Sequence, residues 1–140
     1  SGELLRPAAR QAIADAFGAR VFDVYGSSET KEIAWECPAG GMHINSDVVR
    51  LEIVDDANRP VPTGAEGNLV ATLLVNRAMP LLRYRIGDRA SLLPHRCDCG
   101  HPFPLLGVVT VIGPATAAGG TATGTADYRS RTGGSGGSDA

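Results

Sequence analysis

VVRLEIVDDANRPVPTGAEGNLVATLLV, residues 48–75, decides the fold. Val49, Leu51 and Ile53 alternate with Arg50, Glu52 and Val54, the period-2 pattern of a strand with one face in a core. DDANRPVPTGAEG (55–67) is turn chemistry throughout, with Pro, Gly, Asn and Asp at close spacing. NLVATLLV (68–75) supplies the next strand, giving an antiparallel pair. Downstream, PLLRYRIGDRASLLP (80–94) is expected to carry a strand, a turn at Gly87-Asp88 and another strand. Upstream, RVFDVYG (20–26) reads as a short strand ending at Gly26. In ELLRPAARQAIADAF (3–17), Leu4, Leu5, Ala8, Ala9, Ile13 and Phe17 recur roughly at helical period, and Gly18 is a natural stop. The expected fold is α+β, mainly antiparallel β with an N-terminal helix.

The 140 residues have room for one domain; 43% are apolar and 20% charged, a globular composition. A formal net charge of −2 does not favour nucleic acid or an acidic membrane surface as partner. No apolar stretch approaches the roughly 20 residues that a membrane-spanning helix needs. The N-terminal SGELLRPAAR has neither a signal-peptide centre nor an initiator Met, and reads as the middle of something longer. Cys37, Cys97 and Cys99 are an odd number with no secretion signal, which points to a reduced, cytoplasmic setting. From about Thr110 the composition turns to Gly, Ala, Thr and Ser, with Tyr128 the one large apolar residue after Ile112. The expected organisation is a body at 1–109 and a flexible tail at 110–140.

Two stretches carry ligand chemistry. In VYGSSET (24–30), a strand-end Tyr could stack on a base, and the turn's hydroxyls and amides could meet phosphate. Glu29 could hold the magnesium that accompanies a nucleotide. Alone, the stretch reads more simply as Ser27 or Ser28 capping a helix that begins near Thr30. In LLRYRIGDR (81–89), Asp88 on its turn could accept hydrogen bonds from vicinal ribose hydroxyls, or could be a solvated turn residue. YGSSE is not the G-x-S-x-G of a hydrolase elbow.

Taken in order, the aromatic-Gly-x-Ser-Glu turn and the later Tyr-Arg-x-Gly-Asp resemble the adenylate-forming ligase superfamily. The text between them and beyond, from GGMHINSDVV to CDCGHPFPLL (40–106), is similar to the phenylacetate–CoA ligase family of AMP-forming aryl-CoA ligases. The likeness runs from about Ser1 to Leu106, and implies a fragment of the family's large adenylation domain. It implies that Tyr25 stacks on adenine, Gly26 lets the backbone approach the ligand, Ser28 nears the α-phosphate and Glu29 helps hold Mg2+. Asp88 would bind the ribose hydroxyls, and Arg85 is a weaker candidate for nucleotide contact. The implied reaction joins a carboxylic acid to ATP as an acyl-adenylate and then to coenzyme A. The family's phosphate loop and its catalytic Lys are not found here: GPATAAGGTATG has no Lys, and Lys31 is the single lysine, in the wrong place. No catalytic residue is assigned, and the chain by itself is expected to be inactive.

The cysteines form a third constellation. Cys97 and Cys99, at i and i+2, face one side of an extended segment, and with Cys37 and His43 they make a closed set for structural Zn2+. His95 and His101 compete for the fourth place. Free thiols with a surface His are the plainer alternative. Similar Cys/His sets in some relatives support a structural metal. Two rival readings stay open, a non-catalytic zinc-stabilised β module that binds a nucleotide or a protein, and a truncated or frame-disrupted piece. Association as a homo-oligomer is also left open.

Overall fold

The computed structural model describes residues 4–115 and 121–128. Among the described residues there are one helix, α1 (Pro7–Phe17), and eight strands. These are β1 (Val24–Ser27), β2 (Lys31–Glu36), β3 (Met42–Ile44), β4 (Val49–Val54), β5 (Gly67–Leu73), β6 (Tyr84–Leu92), β7 (Leu105–Ala115) and β8 (Thr121–Asp127). The fold is α+β, as expected, and every strand pairing among the described residues is antiparallel.

α1 starts four residues later than its apolar spacing suggests. Pro7 holds the preceding Arg6 extended at φ −69°, ψ 146°, and Pro is tolerated at the first helical position because its missing N–H would be unpaired there. Gly18, at φ 60°, ψ 30°, ends the helix in the left-handed conformation. No α1 side chain is buried, and Phe17 is 80% exposed. What ties the helix down is Arg10, whose guanidinium bridges Glu36 and the Val21 carbonyl. Among the described residues, no helix is long and apolar enough to cross a membrane.

Strand order in the sheet is β1-β2-β3-β7-β6-β5-β4, with β8 added on β7. The β4–β5 pair is antiparallel, as expected, with Leu51 opposite Ala71 and Ile53 opposite Leu69. At the outer edge of β4 the turn folds back, so that Pro60 bridges Val54 and the Val61 N–H donates to Ile53. β7 carries β6 on one side. On the other it carries β3 at Leu105–Leu106 and then β8 from Val108 to Ala115. Tyr25, Ile33, Met42, Val49, Leu69, Ala90 and Val109 belong to one buried cluster, with residues from β1 to β7 in contact. The sheet must therefore curl, since β1 and β6 lie four strand spacings apart, about 19 Å if it were flat.

Three expectations are corrected. No helix begins near Thr30: Lys31–Glu36 is strand β2, joined to β1 by a tight turn, with Ser27 opposite Lys31. The Gly87-Asp88 turn is a bulge inside one continuous strand, because Asn68 pairs Arg89 and Val70 pairs Arg85, leaving Ile86–Asp88 opposite Leu69 alone. The boundary expected at Thr110 falls inside β7, and β8 returns beside it to a buried Tyr128. The rest of the expected tail, 116–120 and 129–140, lies outside the described residues.

Candidate functional site

The bulge in β6 and the β1–β2 hairpin meet across the curled sheet. Gly87, at φ 103°, takes the backbone conformation that side chains resist, and so lifts Asp88 out of the ladder. Tyr25 is buried, and its hydroxyl donates to Asp88 Oδ2 at 2.6 Å across 63 residues of sequence. Asp88 Oδ1 accepts the Ile112 N–H of β7 at 3.1 Å. Burial first, and then the neighbouring Asp88 carboxylate, hold the Tyr25 phenol well above its ordinary value, so it stays a proton donor.

Gly26 has a reason beyond any ligand. A Cβ there would lie 1.9 Å from the Lys31 carbonyl oxygen, so only Gly lets the bulged hairpin close. In the turn, Ser27 and Thr30 hydroxyls are 2.9 Å apart and Ser27 Oγ accepts the Thr30 N–H, which leaves Ser28 and Glu29 exposed at the tip. The Ser27 hydroxyl, and then Glu29's own N–H, hold the Glu29 carboxyl below its ordinary value. It is an exposed anion, suited to a hydrated cation.

Tyr25, Gly26, Ser28, Glu29 and Asp88 line one cleft of about 310 Å³. That is space for a small ligand, with two aromatics, hydroxyls and three carboxylates along its wall. Arg85 is elsewhere: its guanidinium donates to Asn58 Oδ1 at 2.7 Å, beside the turn that follows β4. Asp23 and Tyr128 also stand on the cleft wall, and neither was among the expected site residues. Asp23 sits two residues before Tyr25, the spacing that shares a face in extended chain. Tyr128 was visible as a lone aromatic in a stretch of small residues.

At the other end of β7 the structure brings Cys37, His43, Cys97 and Cys99 together, their ligand atoms all within 4.8 Å of one another. Cys37 closes the β2–β3 hairpin, where its N–H bonds Gly41 and its carbonyl accepts from Gly40. Cys97 and Cys99 lie in a turn closed by Gly100 N–H to the Cys97 carbonyl. Cys37 Sγ is 3.5 Å from Cys97 Sγ, and His43 Nε2 is 3.2 Å from Cys99 Sγ. A tetrahedral zinc with bonds of about 2.0–2.3 Å spaces its ligands by roughly 3.5–3.8 Å. The donor set and its spacing fit that ion.

His43 Nδ1 is 3.2 Å from the Phe103 carbonyl oxygen, which can only accept, so Nδ1 carries the proton and Nε2 faces the thiols. Burial lowers the His43 pKa, only partly offset by that carbonyl, and keeps the ring neutral as a ligand must be. Burial pushes the Cys97 thiol up to about 11. For Cys99 burial acts the same way, but the His101 N–H and the neighbouring thiols outweigh it and hold the thiol below its ordinary value. His101 is a wall of the site: its ring packs edge-on against Trp35, His43 and Phe103, and its Nδ1 accepts the Phe103 N–H. His95 is exposed and outside the cluster.

The chain is 36% identical over 107 residues to a phenylacetate-coenzyme A ligase of Thermus thermophilus, an alignment that takes in 73% of this chain and 24% of the relative. It is 40% identical over 92 residues to a phenylacetate-coenzyme A ligase of Aromatoleum evansii, covering 62% of this chain and 21% of that protein. Among solved structures, it is similar to 2-hydroxyisobutyryl-CoA ligase in complex with 2-HIB-AMP and CoA. There the TM-score is 0.66 at 29% identity, over 75% of this chain and 24% of the other. The chain thus spans about a quarter of the length of the curated relatives it matches. No protein-family model matches it.

Proposed function

Since this chain is a partial adenylation domain of the phenylacetate–CoA ligase family, we propose that its cleft is the adenosine-binding wall of an AMP-forming acyl- or aryl-CoA ligase. The observation that carries the reading is the Tyr25–Asp88 hydrogen bond, which joins the two nucleotide-like motifs in one cleft. In this reading Tyr25 offers its ring to adenine and Asp88 takes the ribose hydroxyls. Ser28 faces the α-phosphate, and the exposed Glu29 anion meets the magnesium. Arg85 has no part in it. The acyl-AMP and CoA held by the structural neighbour support a carboxylic acid, ATP and coenzyme A as the partners of the whole enzyme.

Such a wall binds and orients. Acyl transfer to and from AMP depends mostly on positioning and on neutralising developing charge. Within the 140 residues the one lysine is Lys31, which sits at the β1–β2 turn and is exposed. The chain by itself should therefore bind AMP weakly and release no pyrophosphate from ATP and an aryl acid. Titration with AMP tests the binding. Tyr25→Ala should weaken it by roughly 1–3 kcal/mol, the scale of a base stacked on an aromatic ring, and Asp88→Ala should weaken it as well. Superimposable curves for wild type and Asp88→Ala would remove the ribose role.

The Cys37, His43, Cys97 and Cys99 set we assign to a structural zinc, supported by its three-sulfur, one-nitrogen donors and by the Phe103 carbonyl that fixes the His43 tautomer. Four protein ligands leave no open position, so the ion would tie the fold and take no part in the chemistry.

A further inference from the structure

The hairpin of β7 and β8 touches both halves of the cleft. On β7, the Ile112 N–H donates to Asp88 Oδ1. At the end of β8, Tyr128 is 1% exposed and belongs to the same buried cluster as Tyr25. Its N–H is anchored on the Gly107 carbonyl at 2.8 Å, and its hydroxyl donates to Asp23 Oδ2 at 3.1 Å across 105 residues. Asp23 is itself held from the other side. Its N–H donates to Glu36 Oε2 at 2.9 Å, and its carbonyl accepts the Glu36 N–H. Two residues of extended chain then lead to Tyr25, on the same face.

From this we infer that Tyr128 is a positioning residue of the cleft: through Asp23 it sets where β1 begins, and so holds the Tyr25 hydroxyl on Asp88. Tyr128, 1% exposed against 7% for Tyr25, offers a ligand less of its ring. Its effect passes through Tyr25, the residue proposed above to stack on adenine, so the inference rests on that reading for its functional meaning. It also makes β7 and Tyr128 part of the site.

Two measurements separate the inference from the reading it builds on. Protein labelled with 13C-tyrosine should give three ring signals, from Tyr25, Tyr84 and Tyr128. Tyr128→Phe keeps the packing and removes the bond to Asp23. It should shift the Tyr25 signal and weaken AMP binding roughly three- to tenfold, the scale of one lost hydrogen bond. Asp23→Ala should do the same, and the double variant should do no more than either single one, since both remove one interaction. A Tyr25 signal unmoved in Tyr128→Phe overturns the inference, whatever AMP does. Additive losses in the double variant overturn it too, because they make the residues independent. If wild type binds no AMP while the Tyr25 signal still shifts, positioning stands and the nucleotide reading falls. Should Tyr128→Phe fail to fold, Asp23→Asn, which keeps an acceptor oxygen, must retain the Tyr25 signal near its wild-type position.

Discussion

Tyr25 carries its proton for a reason that can be titrated. Its folded phenol is raised above the ordinary value of about 10 by burial and by Asp88. The neutral form is thus favoured by folding. The stability this adds is complete below about pH 10 and is lost as pH rises through the unfolded value towards the folded one. Tyr25→Phe should be less stable than wild type by roughly 1–2 kcal/mol at pH 8, the scale of a hydrogen bond to a charged group. Denaturant melts at pH 8 and pH 11 should show that gap narrowing, and a gap that stays constant would deny the Tyr25–Asp88 bond its role. At this scale much of the site was legible. The Tyr, Gly, Ser, Glu and Asp of the two motifs do line one cleft. Arg85, implied only by the resemblance, is off the cleft because its guanidinium is held by Asn58 beside the turn that follows β4.

Elements were legible where apolar residues alternate and obscure where they do not. The β4–β5 pair follows from Val49, Leu51 and Ile53. In β2, Ile33 and Ala34 are adjacent and both buried, so KEIAWE has no period to distinguish strand from helix. β8 failed differently. It lacks large apolar residues, yet Thr121, Thr123 and Thr125 alternate, and β-branched Thr favours strands when a neighbour supplies the ladder. That neighbour is β7, whose 11 residues run well past the three-residue β3 on the same side. The bulge in β6 was hidden because Gly-Asp is equally at home in a turn. It is also the element-scale device that presents Asp88. Gly87 has φ 103° with open space around a would-be Cβ, so Gly87→Ala costs backbone strain and no clash. We expect a loss of about 1 kcal/mol or more, with weaker AMP binding measured alongside. Unchanged stability and unchanged binding would mean that the bulge relaxes freely and that Asp88 does not depend on it.

For the whole molecule, the metal corner closes what the sheet leaves open. Cys37 and Cys97 are 60 residues apart, on either side of the β4–β5–β6 meander, and a shared ion would bind the meander's two ends together. In a chain of this size such a tie is a large share of the total stability. About one zinc per chain should accompany protein purified without chelator, and chelation should lower its melting temperature. Cys37→Ser and Cys97→Ser should each weaken zinc binding strongly, and His95→Ala should not weaken it at all. Metal-free protein with the same melting curve would reject the assignment. β7 has a further consequence, in the order in which the protein would open. Its amides and carbonyls face β6 on one side and, in turn, β3 and β8 on the other. Freeing the middle of β7 means breaking two ladders at once, whereas α1 has no buried side chain to hold it. In heavy water, the amide protons of Val109 and its neighbours on β7 should be the last to exchange, and those of α1 among the first.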